Sequence, residues 1–163
     1  MNLPKKLYHF IVNPGVQAIV IHRLAHLLWN HRLKPLARFI TMLSRSFTGI
    51  EIEPGAKLSK TVTISHGMGV VIGGDSIIKD NVVIRQNVTL GAKDDKNTDG
   101  YRYHPTIDNN VSIGAGTVIL GPITVGEHSI IGANSVVTKD VPPYSVVAGA
   151  PARVIKMRNK DSV

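Results

Sequence analysis

The sequence predicts a mainly β protein in which short repeats stack into a parallel β-helix, preceded by short N-terminal α-helices. An aliphatic residue returns every six positions in the second half of the chain, at Ile107, Ile113, Ile119, Val125, Ile131 and Val137. This period matches neither the two-residue alternation of a strand nor the 3.6-residue period of a helix. Small or β-branched residues follow four positions later, which fits stacked coils that share one inward column. The aromatic content of only 5% suits a narrow prism filled by aliphatic side chains.

The two predicted helices come before the repeats. Asn13 followed by Pro14 reads as an N-cap with proline at the first helical position, and this helix should end between residues 29 and 32. Its apolar stripe is Val16, Ile19, Val20, Leu24, Leu27 and Leu28. The second helix closes at Thr48 and Gly49, and its stripe is Leu36, Phe39, Ile40, Leu43 and Phe47.

The six-residue register starts directly after Gly49 and is broken twice. Its inward positions are Ile52, Leu58 and Ile64, then, after two extra residues, Ile72, Ile78, Ile84 and Leu90. The second break is longer, because 17 residues separate Leu90 from Ile107 and the intervening segment is polar. We therefore expect a helical segment at 1–49, a β-helix domain at 50–156 with a projecting loop at 91–106, and a flexible tail at 157–163. After Val137 the pattern predicts an irregular end turn.

Charge and composition narrow the classes of function. The net charge is +8, and residues 1–50 contain seven Lys or Arg and no acidic residue. This basic segment could face an anionic membrane surface or a partner, or it could be a solvated helix face. Nucleic acid is not expected as a partner, because neither interleaved aromatics nor a DNA-binding motif is present. The chain has no cysteine for disulfides or thiolate metal sites. With no signal peptide or membrane-spanning stretch in the sequence, a cytoplasmic location is expected.

Both breaks in the repeat contain a histidine. Functional residues are often found in segments that interrupt a regular repeat, because the repeat holds them in place while their own side chains are not needed for the core. His66 lies in ISHGMG and should project from a corner of the coil, where an imidazole can act as a general base. Such a base needs an orienting acceptor, for which Glu51 is a candidate, although a lone loop histidine is also a common surface residue. His104 lies in YRYHPT. His22 and His26, one helical turn apart, are interpreted as ordinary packing or surface residues in preference to metal ligands.

Several segments resemble one family. The segments are GIEIEPGAKL, SHGMGVVIG, VTLG, HPTI, SIGAGTVILGPITVG, IGANSVV and DVPPYSVVAGAPARV, with HRLAHLLWN upstream. They resemble the serine O-acetyltransferases of the hexapeptide-repeat acyltransferase superfamily from about Pro14 to Lys156. The repeat by itself indicates only the superfamily. The SHG, HP and helical segments in this order point to the serine acetyltransferase branch.

The resemblance implies a left-handed parallel β-helix, assembled as a homotrimer with active sites between subunits. It implies acetyl transfer from acetyl-CoA to a serine hydroxyl, a step of cysteine biosynthesis, without a metal. His66 would be the general base and Glu51 its carboxylate partner, while His104, Ser65 and Arg102 would bind the acceptor. Acetyl-CoA would contact Gly91, Ala92, Ala115, Ala133, Lys139, Arg153 and Lys156.

Three departures bear on the acceptor. Ser65 stands where the family commonly has an Asp that helps to bind the serine amino group, Tyr103 replaces the Arg of an RHP motif, and Glu53 replaces a His. The N-terminal helical domain of long relatives is mostly missing, so a single trimer is expected in preference to a hexamer.

The sequence is also compatible with other functions. The departures leave room for a sugar, a polysaccharide or another hydroxyl acceptor. A metal hydratase resembling the γ-type carbonic anhydrases would need three converging histidines, but residues 108–110 are Asp-Asn-Asn where the third is expected. A non-enzymatic trimeric scaffold would not need His66 at all.

Overall fold

The computed structural model describes residues 5–93 and 103–160, without the side chains of Lys5, Lys6, Leu7 and His9. Three helices come first: α1 (Lys5–Val12), α2 (Pro14–Asn30) and α3 (Lys34–Thr48). Asn13 caps α2 as predicted, since its Oδ1 accepts hydrogen bonds from the N–H groups of Gly15 and Val16 at 3.0 and 3.3 Å. Gly49, with a left-handed φ of 69°, ends α3. The sequence reasoning did not identify α1 as a separate helix.

In the part of the chain that the structure describes, fifteen strands, numbered in chain order, form three sheets along the faces of a triangular prism. Sheet A contains β1 (Glu51–Ile52), β4 (Val71–Ile72), β7 (Thr89–Gly91), β10 (Val118–Leu120) and β13 (Val136–Val137). Sheet B contains β2 (Lys57–Leu58), β5 (Ile77–Ile78), β8 (Thr106–Ile107) and β11 (Thr124–Val125). Sheet C contains β3 (Thr63–Ile64), β6 (Val83–Ile84), β9 (Ser112–Ile113), β12 (Ile130–Ile131), β14 (Ser145–Gly149) and β15 (Ala152–Met157). The chain passes from A to B to C in each coil.

The predicted inward column is the core of the prism. The six-residue positions are at most 4% exposed, apart from the half-buried Leu58 in an outer coil. The companion positions Ala56, Val62, Val111, Thr117, Ser129 and Ser135 are buried as well. Strand pairing explains this, because parallel register places Leu90 between Ile72 and Ile119, and Ile78 beside Ile107. Ile107 therefore occupies an inward position like Ile78, although the interval of 17 residues from Leu90 to Ile107 is not a multiple of six.

The helices pack mainly through small side chains, and of the stripes expected from the sequence only Ile19 is buried. The buried residues of α2 are Gly15, Ala18, Ile19, His22 and Ala25, and those of α3 are Ala37, Thr41, Ser44 and Thr48. Of the predicted stripes, Val20, Leu24, Leu27, Leu36, Phe39, Leu43 and Phe47 are all at least 40% exposed. Close approach is the reason: a Cβ at Gly15 would lie 3.0 Å from the carbonyl carbon of Ile64. Within the described residues, no helix has the length and hydropathy to cross a membrane.

The C-terminal region is more regular than predicted. In place of an irregular end turn, β14 and β15 pair antiparallel and extend sheet C. Beyond the hairpin, the N–H of Arg158 donates to the Tyr144 carbonyl at 2.6 Å, and its Nη1 donates to the His128 carbonyl at 2.6 Å. The start of the predicted flexible tail is thus attached to the β-helix.

Candidate active site

The first break in the repeat forms the turn that carries His66. The backbone is left-handed at His66, Gly67 and Gly69, with φ values of 64°, 68° and 74°. Histidine is one of the non-glycine residues that adopt this conformation more readily than most. A Cβ at Gly67 would lie 2.5 Å from Cδ1 of Ile50, so the turn fits tightly over the core. The His66 side chain is exposed and Ser65 is half-buried, so the imidazole projects from the corner as predicted.

Glu51 lies beside this turn at the start of β1. Its N–H donates to the Val70 carbonyl at 2.9 Å, and its carboxylate accepts a hydrogen bond from Nη1 of Arg45 at 2.9 Å. Arg45 and Glu51 line a cavity of about 280 Å³ together with backbone of the turn. Among the described residues, no hydrogen bond joins the His66 ring to Glu51. The carboxylate is therefore close to the predicted base but is paired with an arginine.

Ala115 and Ala133 lie on the same edge of the prism as His66. We define the C–A corner as the turns that lead from sheet C to sheet A, residues 65–70, 85–88, 114–117 and 132–135. Hydrogen bonds join successive turns: Asn87 N–H to the Met68 carbonyl, Gly116 N–H to the Gln86 carbonyl and Asn134 N–H to the Ala115 carbonyl, at 2.8, 3.0 and 2.8 Å. At about 4.8 Å per coil, the two alanines lie about 10 and 15 Å from the His66 turn along the axis.

His104, Gly91 and Ala92 lie on a different edge. We define the A–B corner as the turns that lead from sheet A to sheet B, of which residues 53–56, 73–76, 92–93, 103–105, 121–123 and 138–140 are described. The Gly121 N–H donates to the Gly91 carbonyl at 3.0 Å. Nδ1 of His104 contacts the carboxylate of Asp75 on the preceding coil. Arg102, the third predicted acceptor-binding residue, lies outside the described residues.

The predicted phosphate-binding cations lie at the C-terminal end of the prism, with Lys139 on the A–B corner and the other two on β15 of sheet C. Lys139 and Arg153 line one cavity of about 230 Å³ with Asp140 and apolar residues of sheet C. Both side chains are exposed. Lys156 is exposed on β15, where it pairs with Val146 of β14. The cavity thus joins two of the three predicted cations.

Most of the predicted residues therefore form two groups in one chain. Glu51, Ser65, His66, Ala115 and Ala133 lie on or beside the C–A corner, while Gly91, Ala92, His104 and Lys139 lie on or beside the A–B corner. Arg153 and Lys156 lie apart from both groups, on β15 of sheet C. A site that uses both histidines requires the C–A corner of one chain to face the A–B corner of another. Within the described residues, no three His, Asp or Glu side chains are grouped so that they could hold a metal ion.

Sequence reasoning missed two residues of these groups, Arg45 and Asp75. Arg45 comes six positions before Glu51, and only the path of the chain from α3 into β1 brings the two together. Asp75 had a usable signal. It stands three positions before Ile78, as His104 stands three before Ile107, and the two isoleucines pair in β5 and β8. Aligning the coils across the loop would have matched the two side chains.

His22 is buried between α2 and the first coil, with 5% of its surface exposed. Burial lowers its pKa to about 4, helped by the neighbouring His26 and Arg23, whereas a hydrogen bond to the Ala56 backbone acts in the opposite direction. Its ring is 5.7 Å from that of His26, whose Nδ1 lies 2.8 Å from the Pro54 carbonyl. These contacts support the packing role expected for this pair.

The depressed pKa of His22 predicts a loss of stability in mild acid. In the unfolded chain, His22 is protonated below its ordinary pKa of 6.5. In the folded chain, it stays neutral until the pH approaches its lowered pKa of about 4. Folding should weaken by about 2 kcal/mol per chain between pH 7 and pH 5, and further towards pH 4. Denaturant unfolding of the native protein and of His22→Gln at both pH values measures this. The difference should shrink in His22→Gln and persist in the exposed control His31→Gln; an unchanged difference in His22→Gln would contradict the assignment.

Comparisons with known proteins agree with this architecture. The family model described as bacterial transferase hexapeptide (six repeats) matches residues 104–139. A serine acetyltransferase of Synechococcus elongatus is 51% identical over 142 residues, which are 87% of this chain and 57% of that protein. One of Staphylococcus epidermidis is 49% identical over 146 residues, or 90% of this chain and 67% of that protein.

The solved structures that superpose on this chain are also serine acetyltransferases. The serine acetyltransferase of Brucella abortus strain S19 in complex with coenzyme A superposes with a TM-score of 0.85 at 40% identity, over 91% of this chain and 58% of that chain. Soybean serine acetyltransferase complexed with serine gives a TM-score of 0.82 at 39% identity, over 90% and 60%. This chain spans less than two thirds of the length of the first curated relatives that it matches.

The fold and the repeat together place the chain in the class of hexapeptide-repeat proteins that are built on a left-handed β-helix. Within that class, the identity extends through α2 and α3 as well as the coils, since it covers 90% of the chain. The chain belongs to the serine acetyltransferase family.

Proposed function

We propose that this chain is an acetyl-CoA-dependent serine O-acetyltransferase that converts L-serine and acetyl-CoA to O-acetylserine and CoA. The observation that carries the proposal is the exposed His66 on a rigid turn, at one end of a corner lined by Ala115 and Ala133. Relatives named serine acetyltransferase at 49–51% identity support it. So do neighbours solved with coenzyme A and with serine. The reaction belongs to cysteine biosynthesis, and its intracellular cosubstrate supports a cytoplasmic location.

His66 acts as the general base in a direct transfer. Its neutral imidazole takes the proton of the acceptor hydroxyl as that oxygen attacks the thioester carbonyl carbon. The new C–O bond forms and the C–S bond breaks, and the proton passes to the departing CoA thiolate. Backbone N–H groups near the turn stabilise the tetrahedral oxyanion. Glu51 orients the imidazole in the complex, which requires its carboxylate to turn from Arg45 or to be shared with it.

The cosubstrate fits the small-residue wall of the C–A corner. Side chains no larger than a methyl at Ala115 and Ala133 let a pantetheine arm approach the main chain closely, with its thioester at the His66 end. Gly91 and Ala92 provide a similar surface on the facing A–B corner. Lys139 and Arg153 share one cavity at the C-terminal end of the prism, and these cations with Lys156 bind the phosphates of CoA.

The assembly follows from the separation of the two corners. One chain places His66 and His104 on different edges, so we propose a homotrimer in which each site combines His66 of one subunit with His104 of its neighbour. Cyclic symmetry repeats the same contact three times and closes the assembly. His104, Ser65 and Arg102 bind the acceptor.

Acceptor specificity is the direct test of this function. CoA thiol release should depend on L-serine, and mass spectrometry should detect O-acetylserine as the product. A panel of free sugars and glycosides serves as the comparison, because Ser65 and Tyr103 depart from the family pattern at the acceptor. Acetylation of a glycoside without turnover of serine would contradict the assignment and favour a sugar O-acetyltransferase.

A further inference from the structure

The carboxylate of Asp75 gathers three donors from the segment that carries His104. Its Oδ2 accepts a hydrogen bond from the Tyr103 N–H at 2.7 Å, and its Oδ1 accepts one from the His104 N–H at 3.0 Å. The same Oδ1 contacts Nδ1 of the His104 ring. Asp75 thus fixes both the backbone and the side chain of His104 just before the chain enters β8.

This contact determines which ring nitrogen is presented to the site. An ionised carboxylate can only accept, so Nδ1 of His104 carries the proton that it donates to Asp75. Nε2 is then the nitrogen on the far side of the ring from the carboxylate. A carboxylate that holds an imidazole in one tautomer and one orientation performs the same task in catalytic triads.

Gly73 defines the other side of the His104 ring. A Cβ at this glycine would lie 2.6 Å from Cγ of His104, and its three nearest heavy atoms would all belong to that ring. The Gly73 N–H donates to the Leu90 carbonyl at 2.9 Å, so the backbone beneath the ring is fixed by coil stacking. Gly73 lacks the left-handed φ that strains an alanine. Alanine at position 73 would therefore collide with the ring without straining its own backbone.

We propose that Asp75 is a positioning residue for the acceptor site: it holds the His104 ring against Gly73 with Nε2 directed away from the carboxylate and towards the acceptor. The proposal rests on the function proposed above, because it assigns the acceptor-binding role to His104. Asp75 acts through His104 and does not itself touch the acceptor.

Steady-state kinetics of Asp75→Asn test the positioning role. The amide brings an NH₂ group against a cluster of donors, so the ring loses its fixed tautomer. The KM for L-serine should rise on the order of 10-fold or more, while the KM for acetyl-CoA changes little. Asp80→Asn is the matched control, because Asp80 is an exposed aspartate that accepts hydrogen bonds from Ser59 and Thr61 on another corner. A KM for serine in Asp75→Asn equal to that in Asp80→Asn would overturn the proposal.

Gly73→Ala gives a second perturbation that removes no charge. It should raise the KM for serine in the otherwise native protein, but it should add nothing in a His104→Ala background, where the colliding ring is gone. An equal effect of Gly73→Ala in both backgrounds would show that the glycine serves something other than His104. Thermal unfolding of each variant confirms that the kinetics report on folded protein.

A ¹⁵N NMR spectrum of the His104 ring tests the positioning role independently of the proposed function. In ¹⁵N-labelled protein, the neutral His104 ring should carry its proton on Nδ1, and Asp75→Asn should remove that preference. If the native protein fails to acetylate serine, the proposed function fails, whereas this spectrum still decides the positioning role. A proton on Nε2 in the native protein, or the same spectrum in Asp75→Asn, would overturn it.

Discussion

His66→Ala is expected to lower kcat for acetyl transfer to serine on the order of 10²-fold or more, with little change in the KM for acetyl-CoA. General-base catalysis by a positioned side chain contributes rate factors of this size. The cosubstrate is expected to contact the alanines of the C–A corner and not the imidazole, so its binding should survive. Continuous measurement of CoA thiol release, with serine and acetyl-CoA varied in turn, gives both constants.

Two further variants separate the loss of the base from a change in the turn. His66→Asn retains a residue that tolerates the left-handed backbone, so it should lose activity as His66→Ala does. His128 also has a left-handed backbone, with φ of 58°, and lies in a turn from sheet B to sheet C. His128→Asn should retain normal kinetics. Activity of His66→Asn close to that of the native protein would exclude the imidazole as the base.

Co-assembly of two inactive variants is expected to restore activity. His66→Ala and His104→Ala trimers should each be severely impaired. In mixed trimers, a site is intact when its His66 comes from a His104→Ala subunit and its His104 from a neighbouring His66→Ala subunit. Each mixed trimer contains either two subunits of one variant and one of the other or the reverse, so about one third of its sites meet this condition. Co-expression with two different affinity tags isolates the mixed trimers for the same CoA-release assay.

The pure variants, mixed after purification without subunit exchange, are the control. They should show only the sum of their residual rates. Mixed trimers as inactive as the pure variants would contradict a site shared between subunits. A single peak at the mass of the monomer in light scattering would contradict the assembly itself.

Much of the fold was predictable because the repeat fixes the inward positions one by one. Ile72, Ile78 and Ile119 occupy the core where a six-residue period places them, and the two breaks locate the turn of His66 and the segment of His104. The cap at Asn13 was predictable for a similar reason, since Asn-Pro favours one local geometry. These features depend on local periodicity or local backbone preference.

Features that depend on distant contacts were not predictable in this way. Leu24 and Phe47 look like core residues from their helical spacing, yet they are exposed, because α2 and α3 approach their neighbours through small residues. The β14–β15 hairpin replaces the six-residue period with ordinary antiparallel pairing, so the period gave no indication of it. The Asp75–His104 contact does not follow from the six-residue period, because the interval of 17 residues from Leu90 to Ile107 is not a multiple of six. The pairing of Ile78 with Ile107 shows which coils are neighbours.

Serine-dependent release of CoA by the native protein and by His66→Asn, measured side by side with mass-spectrometric identification of the product, tests the central claim most directly. We predict O-acetylserine formation by the native protein and its loss, on the order of 10²-fold or more, in the variant. The account would be contradicted if the native protein released no CoA in the presence of serine, or if both proteins formed O-acetylserine at the same rate.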